Sequence, residues 1–194
     1  MEKIDFRGKA PSRRGDAPVG KKYQEYKSLL REDFHERCGY CGDHEFFRET
    51  YYEIDHFVPK KIAPERKDDY SNLVYSCRTC NNSKRAKWPT TDPKVHNDGK
   101  KGWIDPCDAA YAEQFERLDD GSIAAKTTLG KWMWRALTLG NPSHRLKWIL
   151  EQIRVVLKKA DELDIADQEE QRLINALNAR YRNFEEQLRG VPNF

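Results

Sequence analysis

The sequence lacks any long hydrophobic run. No apolar stretch in its 194 residues approaches the roughly 20 residues that a membrane-spanning helix needs. The N-terminal residues, MEKIDFRGKAPSRRGD, contain no apolar segment of the signal-peptide type. Internal repeats and low-complexity tracts are also missing from the sequence. These absences predict a cytoplasmic protein that has no membrane partner.

Cysteine is scarce, with 5 residues in the chain, yet four of them form two C-x-x-C pairs, Cys38/Cys41 and Cys77/Cys80. Cytoplasmic thiols stay reduced, which favours metal ligands over disulfides. Two such pairs supply the four sulfur ligands that structural zinc prefers, and four protein ligands leave no position for water. The alternatives are four unrelated thiols or a redox C-x-x-C motif. Cys107 remains, and we expect it to be a small buried hydrophobic residue.

The net charge of +3 is small but unevenly distributed. Residues 57–87 carry eight Lys and Arg against three Asp and Glu, whereas residues 161–194 carry four against eight. A basic first half suits a polyanion such as nucleic acid. A solvated basic face without a partner is the other interpretation of this pattern.

Composition divides the chain into three regions. Residues 1–20 contain Gly, Pro and paired Arg without apolar periodicity, which predicts a flexible basic arm. Residues 21–90 begin with a predicted helix over 21–36 and hold both cysteine pairs. Residues 91–194 are mixed at first and then mainly helical, so we expect a helical C-terminal extension.

Short strands are predicted around Tyr51–Ile54 and Leu73–Tyr75, between the cysteine pairs. A helix is predicted after Cys80, within Asn81–Lys87. Further along, Asp119-Asp120-Gly121 is typical of a hairpin turn.

The 35 residues between the two pairs contain groups suited to phosphodiester hydrolysis. That reaction needs a water nucleophile, a base and a cation. Asp55 is a hard oxygen ligand for Mg²⁺ or Mn²⁺, Asn81 offers a second oxygen, and His56 is a base whose ordinary pKa is about 6.5. On a strand, Asp55 and His56 point to opposite faces, so the scissile group must straddle them unless the backbone turns. Basic side chains expected to contact phosphate are Lys60, Lys61, Lys84, Arg85 and Lys87.

Each of these residues also has a structural interpretation. His56 could be a buried histidine with satisfied hydrogen bonds, and Asn72 an ordinary turn residue. Asn81 precedes a predicted helix and could be its N-cap. These alternatives stay open on the residues alone.

Cys38–Lys84 resembles the HNH endonuclease family in its cysteine-containing form. The family pattern is a C-x-x-C pair, Asp-His with a following Pro, Asn-Leu, and a C-x-x-C-Asn with a Lys shortly after, and all parts occur here in that order. The resemblance implies an α+β protein in which a ββα-metal core is stapled by a C4 zinc site. It implies two cofactors, a structural Zn²⁺ and a catalytic Mg²⁺ or Mn²⁺.

The resemblance also implies roles for the residues between the pairs. Asp55 would ligate the catalytic metal, and His56 would be the general base. Asn72 would brace the loop and help to orient His56. Asn81 would be the second metal ligand, in place of the final His of the family pattern. The implied substrate is DNA.

The flanking residues carry a weaker resemblance. They are similar to the HNH subunits of bacterial anti-phage systems such as Septu. The matching features are Gly102–Pro106, Phe115, Asp120–Ile123 and the helix-rich tail that follows. Those subunits act beside an ATPase, which implies an ATPase partner bound through the C-terminal helices. The rival hypotheses are a zinc-stapled nucleic-acid-binding module without catalysis, and a partner-docking module whose nuclease is latent alone.

Overall fold

Helices and two small antiparallel sheets make up the computed structural model, which describes residues 5–47, 52–163 and 167–191. This mixture agrees with the expected α+β class. The elements in chain order are α1 (Lys27–Asp33), β1 (Tyr52–His56), β2 (Leu73–Cys77), α2 (Arg78–Lys84), α3 (Ala109–Ala112), β3 (Phe115–Arg117), β4 (Ile123–Ala125), α4 (Thr128–Ala136), α5 (Pro142–Asp161) and α6 (Gln168–Gly190).

The first sheet pairs β1 with β2, and α2 follows β2 without a loop. In the register, His56 lies opposite Leu73 and Tyr52 opposite Cys77. Both strands thus run longer than predicted, and Tyr51 lies outside the described residues. Cys77 ends β2 and caps α2, because its sulfur accepts a hydrogen bond from the Cys80 N–H. The helix therefore begins at Arg78, three residues earlier than expected.

β3 and β4 form the second sheet, with Phe115 opposite Ala125 and Arg117 opposite Ile123. The hairpin predicted at Asp119-Asp120-Gly121 is confirmed by this pairing. Gly121 has a φ of +86°, a conformation that glycine adopts without steric cost.

The chain forms two compact units, one of Met1–Leu118 with Ile123–Gly140 and one of Asp119–Ser122 with Asn141–Phe194. The first unit has a core rich in aromatic side chains. Its largest fully buried rings belong to Trp103, Tyr26, Tyr40, Tyr52, Tyr75 and Tyr111. The core also includes Leu129 and Met133 of α4. Because these later residues share one core with the β1–β2 sheet, the observed division falls near residue 140, whereas we predicted it near residue 90.

The N-terminal segment, residues 5–14, is anchored to the first unit at Phe6 and Arg7, which differs from the flexible arm predicted for residues 1–20. Phe6 is only 5% exposed and joins the core. The guanidinium of Arg7 pairs with Asp5 and donates to the carbonyls of Gly39 (2.7 Å) and Pro106 (2.9 Å). A buried charge is tolerated when it is paired and hydrogen-bonded in this way. The anchors are isolated residues without periodicity, so the sequence pattern did not reveal them; residues 1–4 lie outside the described part.

α1 ends at Asp33, whereas the predicted helix ran to residue 36. His35 and Glu36 both adopt left-handed backbone angles, with φ of 55° and 60°. Two such residues in succession cannot continue a right-handed helix. They turn the chain into the first cysteine pair.

In the second unit, α5 and α6 pack against each other. Asn141 caps α5 by accepting from the Ser143 N–H at 2.8 Å, and Asp167 caps α6 in the same way. Across the described residues, no helix combines the length and apolarity needed to cross a bilayer.

Candidate functional site

The four cysteines of the two pairs converge. All four are buried, and their Sγ atoms lie within 4.8 Å of one another. The Sγ atoms of Cys41 and Cys77 are 3.9 Å apart. A Zn–S bond of about 2.3 Å implies sulfurs roughly 3.8 Å apart in a tetrahedron, so the cluster has the right size and chemistry for a metal such as zinc.

Electrostatics within the cluster favour thiolate formation at Cys38. Burial raises the pKa of this thiol, but hydrogen bonds from Cys41, Cys77 and Cys80 outweigh burial and bring the pKa well below its usual value. A thiolate is the form that binds metal. Cys107 lies outside the cluster and is half-buried, and burial raises its pKa to about 11, so it remains a thiol.

The first cysteine pair is held by its two glycines. The Gly39 N–H donates to the Tyr75 carbonyl of β2 at 2.9 Å. Gly42 has a φ of +77°, and a Cβ on it would lie 2.6 Å from the Cβ of Arg7. Only glycine therefore fits between the first pair and the N-terminal segment.

His56, the last residue of β1, is 6% exposed and has a defined tautomer. Its Nε2 lies 2.8 Å from the Lys67 carbonyl oxygen. A carbonyl can only accept, so Nε2 carries the proton and Nδ1 keeps its lone pair. Burial lowers the pKa of His56 and so favours a neutral imidazole at pH 7. The Tyr23 ring packs edge-on against the imidazole, with the two ring centroids 4.8 Å apart.

Asn72 closes the loop that follows His56. Its Oδ1 accepts from the Val58 N–H at 2.8 Å, and its Nδ2 donates to the carbonyls of Val58 (3.0 Å) and Arg66 (3.3 Å). It is fully buried. One amide thus joins both ends of the loop, and the residue after Arg66 supplies the carbonyl that fixes His56.

The side chain of Asp55 contacts different elements from those that the His56 ring contacts, as alternation along a strand requires. Its Oδ2 accepts from the Tyr40 hydroxyl (2.5 Å) and lies 2.9 Å from the Lys84 Nζ. Among the described residues, Oδ1 has no hydrogen-bond partner. Oδ1 is therefore the oxygen that Asp55 can offer to a cation.

Asn81 and Glu53 form a second polar contact on the same side of β1 as Asp55. The Asn81 Nδ2 donates to the Glu53 Oε2 at 2.7 Å, which leaves the amide oxygen of Asn81 for another partner. Glu53 precedes Asp55 by two residues, so both carboxylates share one strand face. Two carboxylates and an amide oxygen are the hard ligands that Mg²⁺ and Mn²⁺ prefer.

The predicted phosphate-binding residues divide into two groups. Lys60 and Lys61 are exposed on the loop after β1, and Arg85 and Lys87 are exposed after α2. Lys84 is 0% exposed and ion-paired with Asp55, so the structure does not present it to a phosphate.

Sequence patterns did not identify Tyr40, Glu53 or Tyr23 as site residues. Tyr40 lies inside the first C-x-x-C pair, where a spacer residue carries no signal of its own. Glu53 could have been found from its two-residue spacing from Asp55. Tyr23 reaches His56 only through tertiary packing.

Comparison with known proteins bears on this arrangement. Residues 38–87 match the HNH endonuclease family. This HNH segment contains both cysteine pairs and spans β1, β2 and α2.

Two curated relatives extend the comparison beyond the HNH segment. The chain is 33% identical over 85 residues to the Septu protein PtuB of Bacillus thuringiensis, covering 42% of this chain and 32% of that one. It is 26% identical over 126 residues to the Septu protein PtuB of Bacillus mycoides (strain KBAB4), covering 54% and 42%. The matches thus span less than half of either relative. No solved structure matches the chain significantly.

Proposed function

We propose that the chain is a metal-dependent HNH endonuclease that hydrolyses DNA phosphodiester bonds, with β1, β2 and α2 as a ββα-metal core. The observation that best supports this proposal is the state of His56, a buried neutral imidazole whose Nε2 proton is bound by the Lys67 carbonyl. This arrangement leaves Nδ1 of His56 able to accept a proton, while the neighbouring residue Asp55 keeps Oδ1 for a cation.

In the proposed mechanism, Nδ1 of His56 takes a proton from the attacking water. The Nε2–H bond to Lys67 holds the ring and stabilises the imidazolium that results. Asp55 and Asn81 would hold the cation, which supplies charge stabilisation to the phosphate and the leaving oxygen. Asn72 keeps the loop and its Lys67 carbonyl in place while the proton moves.

The exposed basic residues supply the proposed substrate contacts. These are Lys60 and Lys61 in the loop after β1, and Arg85 and Lys87 just after α2. Contacts of this kind position the DNA backbone and carry little sequence information. Binding should therefore weaken steeply as the salt concentration rises.

The Septu relatives suggest the biological setting. We place the nuclease in anti-phage defence, acting with an ATPase partner that binds α5 and α6. Exposed apolar side chains on these helices are consistent with a docking role, namely those of Val155, Val156 and Leu173. Phage-challenge assays on cells that express the chain with an ATPase encoded beside it should show protection that His56→Ala abolishes.

Plasmid cleavage in Mg²⁺, Mn²⁺ or EDTA tests the nuclease proposal. We expect His56→Ala to lower the cleavage rate by about 10²–10⁴-fold, the usual contribution of a general base, without loss of DNA binding. His35→Asn is the matched control, since asparagine tolerates the left-handed backbone of residue 35. DNA binding without cleavage by the wild-type protein, in the presence or absence of the ATPase, would favour the non-catalytic binding module.

A further inference from the structure

Lys84 is a fully buried lysine in the middle of the proposed site. Its ammonium donates to the main-chain carbonyl of His56 at 2.8 Å and lies 2.9 Å from Oδ2 of Asp55. The same Nζ lies 5.8 Å from the centre of the Trp103 ring. A buried ammonium is costly unless it is paired, so these contacts account for its presence.

The side chain of Lys84 links Asp55 and His56. Lys84 follows Asn81 by three positions on α2, so both side chains lie on the helix face that contacts β1. The ammonium neutralises the carboxylate of Asp55 and also binds the main chain of His56.

We propose that Lys84 is a positioning residue and an internal counter-ion, which competes with the catalytic cation for Asp55 and raises the cation concentration at which the site fills. This inference rests on the proposed function, because it takes Asp55 as a cation ligand. Without a cation, Lys84 balances the buried carboxylate. When a cation binds Oδ1, two positive charges share one carboxylate, and their repulsion at such short range weakens binding.

Tyr40 provides an internal comparison. Its hydroxyl donates to the same Oδ2 but carries no charge. Loss of this donor removes a hydrogen bond without removing a repulsion. Tyr40→Phe should therefore change cation affinity much less than Lys84→Met does.

Cation binding can be measured apart from cleavage. In zinc-loaded protein with His56→Ala, electron paramagnetic resonance titration with Mn²⁺ should give a dissociation constant about tenfold or more lower for Lys84→Met. The control Lys131→Met, which removes an exposed lysine of α4, should leave the Mn²⁺ dissociation constant unchanged. With His56 intact, Lys84→Met should cleave more slowly despite its tighter cation binding, because the His56 main chain loses its tether. A purely structural role also predicts slower cleavage, but together with weaker cation binding.

A second measurement leaves position 84 intact, in case Lys84→Met does not fold. Mg²⁺ titration of the His56→Ala protein should shift the NMR signal of the Lys84 ammonium as its pairing with Asp55 changes. An unshifted signal in protein that binds Mg²⁺, or equal or weaker Mn²⁺ binding by folded Lys84→Met, overturns the inference. A failure of the proposed function would give other results. Either the protein would not bind Mn²⁺ at all, or the Asp55→Asn variant would bind Mn²⁺ with the same affinity as the parent.

Discussion

The carboxamide of Asn72 pairs with both main-chain groups of Val58, accepting from its N–H at 2.8 Å and donating to its carbonyl at 3.0 Å. The Phe57 N–H in turn donates to the main-chain carbonyl of Asn72 at 2.8 Å. The side chain thus acts as an extra peptide group that continues the pairing beyond the end of β1. The loop that starts there returns to His56 through the Lys67 carbonyl.

Asn72→Ala should impair both stability and cleavage. It leaves the buried N–H and carbonyl of Val58 without partners, so we expect the free energy of unfolding to fall by about 1–3 kcal/mol. The cleavage rate should fall further than the unfolded fraction explains, because the Lys67 carbonyl loses its support. Denaturant melts and plasmid cleavage check this, with exposed Asn82→Ala as the control. Unchanged cleavage by the folded variant would show that Asn72 does not orient His56.

Loss of one cysteine of the cluster should unfold the core of the first unit. Cys77 contributes a sulfur to the cluster, ends β2 and caps α2, so Cys77→Ser disrupts several elements at once. We expect loss of bound zinc and loss of cooperative melting by circular dichroism. Cys107→Ser should melt like the parent, since Cys107 lies outside the cluster. A zinc-free Cys77→Ser protein with native melting would contradict a structural metal.

The N-terminal segment offers a matched pair of substitutions. Phe6 is buried in the core, whereas Val19, just beyond this segment, is 94% exposed. Phe6→Ala should lower the free energy of unfolding by about 3–5 kcal/mol, as expected for a buried aromatic ring. Val19→Ala should change it by less than about 0.5 kcal/mol. Chemical denaturation measures both, and equal effects would mean that residues 5–14 are not part of the core.

Asp33 should make stability depend on pH. Burial would raise the pKa of its carboxyl, but hydrogen bonds from the Arg14 backbone, the Tyr70 hydroxyl and the Arg14 side chain lower it below 3.8. A lowered pKa in the folded state gives stabilisation that is complete above the unfolded pKa and is lost as the pH falls through the folded one.

Asp33→Asn tests this dependence. The variant should be less stable than the parent by about 1–3 kcal/mol at pH 7, where the carboxylate is charged. The difference should shrink from about pH 5 downward, as the parent becomes protonated. Asp16→Asn, at an exposed position nearby, serves as the control. A difference that stays constant down to pH 2 would contradict the assigned hydrogen bonds.

The sequence allowed good predictions where spacing carries the signal. Two C-x-x-C pairs predicted a cluster of four sulfurs, and alternation along a strand predicted that the side chains of Asp55 and His56 would point to opposite faces. The packed N-terminal segment could not be predicted in this way, since Phe6 and Arg7 are single anchors outside any period. The burial of Lys84 was equally hidden, because a lysine beside exposed basic residues has the same local pattern as a phosphate contact.

The long separation between the two cysteine pairs governs the order in which the protein can assemble during its synthesis. β1 carries His56 and Asp55, but its pairing strand, the second cysteine pair and Lys84 are all translated later. The bond from Arg7 to the Pro106 carbonyl closes later still. A nascent chain that has released only its first sixty residues from the ribosome therefore holds His56 without the framework that orients it. The proposed nuclease site can assemble only after the second cysteine pair has emerged from the ribosome.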